Sequence, residues 1–265
     1  MRSVRWAAWV CAWSVLSLAA ASAGEMSPLN LSPGFPTSLD DAYPVNEGSV
    51  VFQPTFRFDK SEDRDYVRAR QTADLRWGVS KGLELFVGGT GIRGPELPGT
   101  MDDPKAVRGG VLYRFARQSD LGGLGPSLAV RTTVQVPVSS AQTDPALRTD
   151  LLASWDLSNG WWGHINAGYQ IAPGGQPGLQ APGRNSVWYG RIGFVKALGS
   201  SFGLIVSGTF SQDYTRSVGH LVTPEVGLTY AIRPDWIVMV GAGGDCGNSP
   251  QRASERGTVG LAWVF

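Results

Sequence analysis

From residue 49 onward the chain consists of runs of about ten residues in which apolar and polar side chains alternate, each bounded by turn-forming residues. A side-chain period of two belongs to the β-strand, where successive residues point to opposite faces. The pattern occurs in runs at 49–59, 67–79, 83–92, 106–116, 126–137, 147–158, 161–172, 185–197, 202–212, 220–232, 235–244 and 255–265. No window sustains the helical period. The run length matches the roughly 9–11 residues that a tilted strand needs to cross a bilayer.

The connections sort by length. After the second, sixth, eighth and tenth runs they are tight: "SKG", "SNG", "GSS" and "RPD". After the odd-numbered runs most are longer and polar, such as "RGPELPGTMDDPK" and "PGGQPGLQAPGRN". The connection after the fourth run, "RQSDLGGLG", is an exception. A bacterial up-and-down barrel has short periplasmic turns and long external loops, and an even strand number leaves both ends in the periplasm. A sandwich has no reason to sort its turns in this way. The expected fold is all-β: a transmembrane antiparallel up-and-down β-barrel of about 12 strands, occupying residues 48–265.

The two faces of each run differ in chemistry. In "SLAVRTTVQV", Leu128, Val130, Val134 and Val136 oppose Arg131, Thr133 and Gln135. In "WGHINAGYQI", Ile165, Ala167, Tyr169 and Ile171 oppose His164, Asn166 and Gln170. A charge at the lipid midplane costs roughly 2–4 kcal/mol, and an unpaired backbone group in lipid costs several. The sheet must therefore close, with its charged face around a polar lumen. The expected lining is Arg57, Arg70, Asp74 and Arg76 on the first two runs, then Glu84, Arg108, Arg114 and Arg131 on the next three. Arg148, Asp150, Asp156, His164, Arg191 and Glu225 continue it around the barrel. An arginine-rich lining concentrates anionic solutes. Alternatively, these charges pair across strands and fill a narrow barrel. Twelve strands lie between the filled eight-strand barrels and the open porins of sixteen or eighteen, which favours a narrow pore.

A soluble antiparallel sheet with one wet face gives the same alternation. Aromatic placement favours lipid. Trp77, Phe115, Trp155, Tyr230, Trp236, Trp263 and Phe265 all fall beside the proposed periplasmic turns or terminus. Trp and Tyr prefer the membrane interface, where an amphipathic ring meets both phases. The closing stretch "GTVGLAWVF" places Phe265 in this belt, on a last strand expected to pair with the first.

The opening stretch, "MRSVRWAAWVCAWSVLSLAAASAGE", has Arg2 and Arg5 ahead of an apolar run and the small-x-small pattern Ala21-Ser22-Ala23. It reads as a signal peptide, residues 1–23, cleaved near Ala23; an uncleaved membrane anchor is the alternative. Its removal takes two arginines and no acid, turning the net charge of +1 into −1. It also takes Cys11 and leaves Cys246 alone, so no intramolecular disulfide is expected. Residues 24–47 are proline-rich and irregular, an N-terminal extension suited to tuck into the barrel mouth. Near-neutral charge argues against a nucleic-acid partner, which would select a basic face.

His164 and His220 are the two histidines, and no "GxSxG" turn accompanies them. A hydrolase would need a serine and a carboxylate to converge on one of them. Cys246 and two histidines give no metal-ligand spacing. No cofactor, metal or catalytic residue is expected, and the chain is not read as an enzyme.

The stretches "FPTSLDDAYPVNEGSVVFQPTFRFD", "LRWGVSKGLELFVGGTGI", "GGVLYRF", "VGLTYAIRPDWIVMVGAGG" and "GLAWVF" together resemble a bacterial outer-membrane barrel transporter family. Its members are often labelled components of the meta-pathway of phenol degradation. The shared elements are an early "DDA…G" entry, a hairpin from Gly78 to Gly88 and a late Pro-Asp-Trp turn. "VGLAWVF" also resembles the C-terminal signal read by the barrel-insertion machinery. The resemblance implies a channel or transporter in the outer membrane of a Gram-negative bacterium, in contact with outer-membrane lipid, passing small aromatic or anionic solutes. The alternatives are a non-conducting structural or surface-interaction barrel and, behind it, a membrane-embedded lipid hydrolase.

Overall fold

The computed structural model describes residues 36–61, 66–93, 105–138, 145–171, 184–213, 219–247 and 252–265. The signal-peptide assignment and residues 24–35 lie outside these. Twelve strands follow in chain order: β1 (Val50–Ser61), β2 (Tyr66–Ser80), β3 (Leu83–Arg93), β4 (Ala106–Ala116), β5 (Ser127–Pro137) and β6 (Ala146–Asp156). The second half is β7 (Trp161–Ile171), β8 (Ser186–Ala197), β9 (Phe202–Gln212), β10 (His220–Arg233), β11 (Trp236–Gly243) and β12 (Glu255–Val264).

Each strand pairs antiparallel with its sequence neighbour, and β12 pairs with β1 to close the barrel. At the seam Phe52 lies opposite Trp263 and Phe58 opposite Gly257. The Phe265 N–H donates to the Val50 carbonyl at 2.8 Å, which holds the last residue in the seam. The connection after β4 holds a single 3-10 turn, Gln118–Leu121. The Asp120 carboxylate accepts the Arg117 N–H at 2.9 Å, and Gly122 and Gly123 close the turn at positive φ (72° and 79°), where glycine is unstrained. This local structure explains why one short-end connection is longer than the rest.

The outward face is an apolar band. Phe52, Leu85, Val107, Leu151, Ile165, Ile192, Val206, Val226 and Val240 are all exposed around its circumference. A water-soluble barrel would leave far too much apolar surface uncovered, whereas lipid is the natural neighbour of such a band.

The inward face departs from the sequence reading in one respect. The lumen is polar in the half nearer the long loops, whereas its short-turn half also carries apolar clusters beside its polar pairs. Val51, Ile237, Met239, Ala262 and Val264 form one buried cluster with Val45. Val195 and Ile205 form a second with Leu39, and Leu112, Ala129 and Leu152 a third with Ala42. In each case the partner inside the barrel comes from the segment before β1.

The described part of that segment, residues 36–49, runs through the lumen as a plug. The Ser38 N–H donates to Glu225 Oε2 at 2.7 Å, Asp40 N–H to Asn166 Oδ1 at 2.9 Å, Ala42 N–H to Ser154 Oγ at 2.9 Å and Val45 N–H to Glu84 Oε2 at 2.9 Å. Without strand partners, these buried amides must find side-chain acceptors, and four strands supply them. The segment reaches β1 through a parallel bridge of Glu47 with Gly78. Room for the plug comes from inward glycines. A Cβ at Gly227 would lie 2.7 Å from Pro36 Cγ, and one at Gly241 would run into the Pro36 carbonyl. Period-two alternation could not reveal this, because the plug has no period and its contacts lie far along the chain.

Candidate functional site

The candidate site is the lumen with its plug. At the long-loop end, the buried Asp59 of β1 receives Arg57 and Arg68 at 2.9 Å and Arg256 at 3.2 Å. Arg256 also reaches Glu225 at 3.3 Å and Asp245 at 3.2 Å. Below this, Arg108 of β4 pairs with Asp74 of β2. Near the short-turn end, Arg76 and Glu84 form a bidentate pair at 2.8 and 2.9 Å, and both are buried.

The middle of the lumen holds the densest constellation. Asp40 of the plug is fully buried, 3.0 Å from Arg131 of β5, 3.5 Å from Arg191 of β8 and 4.0 Å from Arg148 of β6. Burial would raise its carboxyl pKa, but the guanidiniums of Arg131, Arg191 and Arg148 outweigh this and hold it below the ordinary carboxylate range. Arg148 also pairs with Asp150 at 2.8 Å. Tyr189 donates its hydroxyl to Asp150, and its ring lies 4.9 Å from the Arg148 guanidinium and 4.4 Å from that of Arg191. Such cation–π contacts strengthen when desolvated.

The lining residues expected from sequence occupy several heights of the barrel. Arg57, Arg70 and Glu225 lie toward the long loops. Asp74, Arg108, Arg131, Arg148, Asp150 and Arg191 lie in the middle, and Arg76, Glu84 and His164 near the short turns. Arg114 and Asp156 lie lowest of all. Both sit at the short-turn rim, where Arg114 donates to the Lys81 carbonyl at 2.6 Å and the exposed Asp156 accepts the Ser158 N–H at 2.9 Å. Parity assigns a side chain to a face and says nothing of its height.

Ser154 and Asn166, on the polar face of their runs, belong to the site, as do Asp40, Asp59, Arg68, Tyr189, Asp245 and Arg256, which were not singled out from sequence. Asp59, Arg68 and Arg256 share the inward parity of Arg57 and Arg70 in the observed register, a signal that was available. Asp40 carried none. His164 is buried, its Nδ1 2.9 Å from Ser154 Oγ. Among the described residues no carboxylate hydrogen-bonds its other ring nitrogen, and Ser154 already accepts the Ala42 amide. The pair serves to seat the plug. No group of His, Cys, Asp and Glu among the described residues suits a metal ion.

The rings expected near the short turns, Trp77, Phe115, Trp155, Tyr230, Trp236, Trp263 and Phe265, lie at that end of the barrel wall. Trp236 lies tilted 5.2 Å from Trp263, Trp263 tilted 4.1 Å from Phe265, and Tyr230 stacks 4.4 Å from Phe202. A second cluster at the long-loop end was not anticipated. There Phe210 lies 5.5 Å from Trp188 and 4.8 Å from His220. His220, the first residue of β10, thus joins an outward aromatic group.

The plug separates two spaces. On its long-loop side lies a cavity of about 70 Å³, lined among others by Arg70, Asp74, Phe86, Arg108, Arg131 and Arg148. On its short-turn side, Tyr43, Val45, Glu47, Lys81, Arg114 and Arg117 surround a larger one of about 470 Å³. The first holds only a few waters, at about 30 Å³ each, and is well below the roughly 300 Å³ of the smallest common ligand pockets.

The Arg76–Glu84 pair yields a stability prediction. Arg76→Gln leaves Glu84 buried and without its bidentate partner, with an expected cost of roughly 3–5 kcal/mol. Urea unfolding in lipid vesicles reads this as a lower midpoint.

No protein-family model matches the sequence, and no curated protein does. Solved structures do match. The chain is similar to the NanC porin at 13% identity and a TM-score of 0.58, covering 81% of this chain and 98% of that one. It is similar to an outer membrane channel from Pseudomonas putida F1 at 10% identity and a TM-score of 0.60, covering 89% of this chain and all of the other. At these identities the likeness is one of fold: this chain has the closed antiparallel barrel of the outer-membrane proteins.

Proposed function

We propose that the chain is an outer-membrane channel for small solutes, that its lumen favours anions, and that residues 36–49 set its permeability. The observation that carries this reading is the lining of the cavity above the plug. Five arginines (Arg70, Arg76, Arg108, Arg131 and Arg148) face it with two carboxylates, Asp74 and Glu84. A cationic surplus in a low-dielectric channel attracts anions. The resemblance to barrels of the phenol meta-pathway, and Phe86 in the cavity wall, favour an aromatic solute. The signal peptide supports export, and the "VGLAWVF" end supports delivery through the barrel-insertion machinery into outer-membrane lipid.

The mature protein reconstituted in planar bilayers tests the proposal. Discrete conductance steps are expected, with a reversal potential in a KCl gradient that reports chloride over potassium. A folded barrel that never conducts would remove it. A second reading, a non-conducting structural barrel, is favoured by the plug and the small cavity. The Ser154–His164 pair does not support a lipid hydrolase, since Ser154 is fully buried and engaged with the plug.

A further inference from the structure

We infer that Arg131, Arg148 and Arg191 form a binding site for the carboxylate of a small solute, and that Asp40 of the plug occupies it in the absence of solute. The inference rests on the channel reading for its biological use, and on the lumen geometry for its chemistry.

Three guanidiniums from β5, β6 and β8 converge on Asp40 at 3.0, 4.0 and 3.5 Å. Among the described residues they pair with the carboxylates of Asp40 and Asp150. Guanidinium groups are suited to carboxylates, which they bind through paired, charge-assisted hydrogen bonds. Arg131 and Arg148 each face two ways. On one side they hold Asp40, and on the other they line the cavity that leads toward the long loops. A solute arriving through that cavity meets the same arginines. Phe86, whose ring lies 6.0 Å from the Arg131 guanidinium, offers an apolar wall beside them. The ligand class this fits is a carboxylate attached to a small ring or short apolar body. The cavity of about 70 Å³ is too small to admit such a molecule while the plug is seated, so its binding and Asp40's departure are coupled.

The plug is built to leave. Its amides at Ser38, Asp40, Ala42 and Val45 are held by side-chain acceptors and not by strand pairing. The twelve strand pairings close the barrel without it. A solute that replaces the Asp40 carboxylate satisfies the arginines and releases the central anchor, leaving no buried charge unpaired.

The test uses amide hydrogen exchange of the full mature protein in lipid nanodiscs, with benzoate as the probe and benzyl alcohol as its uncharged counterpart. Benzoate at millimolar concentration is expected to speed exchange at Ser38, Asp40, Ala42 and Val45 several-fold. Benzyl alcohol is expected to leave it unchanged. Asp40→Asn is expected to show fast exchange at these amides without benzoate and little further change with it. Exchange that ignores benzoate, or responds equally to benzyl alcohol, overturns the site, and the wild-type titration decides this even where a variant fails to fold. Conductance recorded in parallel separates the two ideas. Benzoate-dependent exchange without conductance retains the site and removes the channel, whereas conductance without that exchange retains the channel and removes the site.

Discussion

A chain without residues 1–45, refolded into lipid, is expected to insert as a barrel and to conduct at about ten times the level of the intact protein, since a twelve-strand lumen emptied of its filling is a water path. The barrel survives because all twelve strand pairings, including the β1–β12 seam, are independent of the plug. What is lost is the packing of Leu39, Ala42 and Val45 against three inward apolar clusters. Leu112, Leu152, Ile205 and Ile237 then face water, at about 25 cal/mol per Å² of apolar surface exposed. The truncated barrel is therefore expected to be less stable as well as more open. Single-channel recording and urea unfolding of the same preparation read both effects. A truncated barrel that folds but conducts no more than the intact one would show that the lumen is shut elsewhere and would favour the structural-barrel reading.

The second large effect lies on the opposite face. Leu151 sits at the centre of β6, outward and exposed, opposite Ala167 of β7. Leu151→Arg is expected to cost roughly 2–4 kcal/mol in a lipid bilayer, because a guanidinium at the midplane loses its hydration. Leu157, just beyond the end of the same strand and equally exposed, is the matched position. Leu157→Arg is expected to cost at most about 1 kcal/mol, because at the interface the side chain reaches water. The difference between the two substitutions carries the result. Folding titrations in vesicles that found equal costs would mean that the apolar band does not meet hydrocarbon, and the outer-membrane assignment would fail with it.

The barrel was legible because its signal is local. In "SLAVRTTVQV" each residue's face follows from its neighbours, so Arg131 points inward and Val130 outward before any partner is known. Turn lengths are equally local, and they gave the strand order, since short and long connections leave each strand little choice but its sequence neighbour. The 3-10 turn after β4 was the one connection whose length did not follow the rhythm, and its own capping interactions account for that.

The site was legible only in part. Parity brought Arg131, Arg148 and Arg191 to the inner face, but their convergence on one point depends on the stagger between strands, which sets height. The same stagger put Arg114 and Asp156 at the rim and gathered Trp188, Phe210 and His220 into a second aromatic group. The partners that complete the site are far apart along the chain. Asp40 meets Asn166 across 126 residues and Ser38 meets Glu225 across 187. Leu112 and Leu152 broke the expected polar lining for a reason that no strand contains, since their neighbour is Ala42 of the plug. The sequence by itself pointed to a closed, lipid-facing cylinder, because a period of two, strands long enough to cross a bilayer and an aromatic belt together favour it over a soluble sheet with one wet face. Only the tertiary structure decided that the cylinder is filled, and by what, because an aperiodic segment finds its place through contacts that exist only after the barrel has closed.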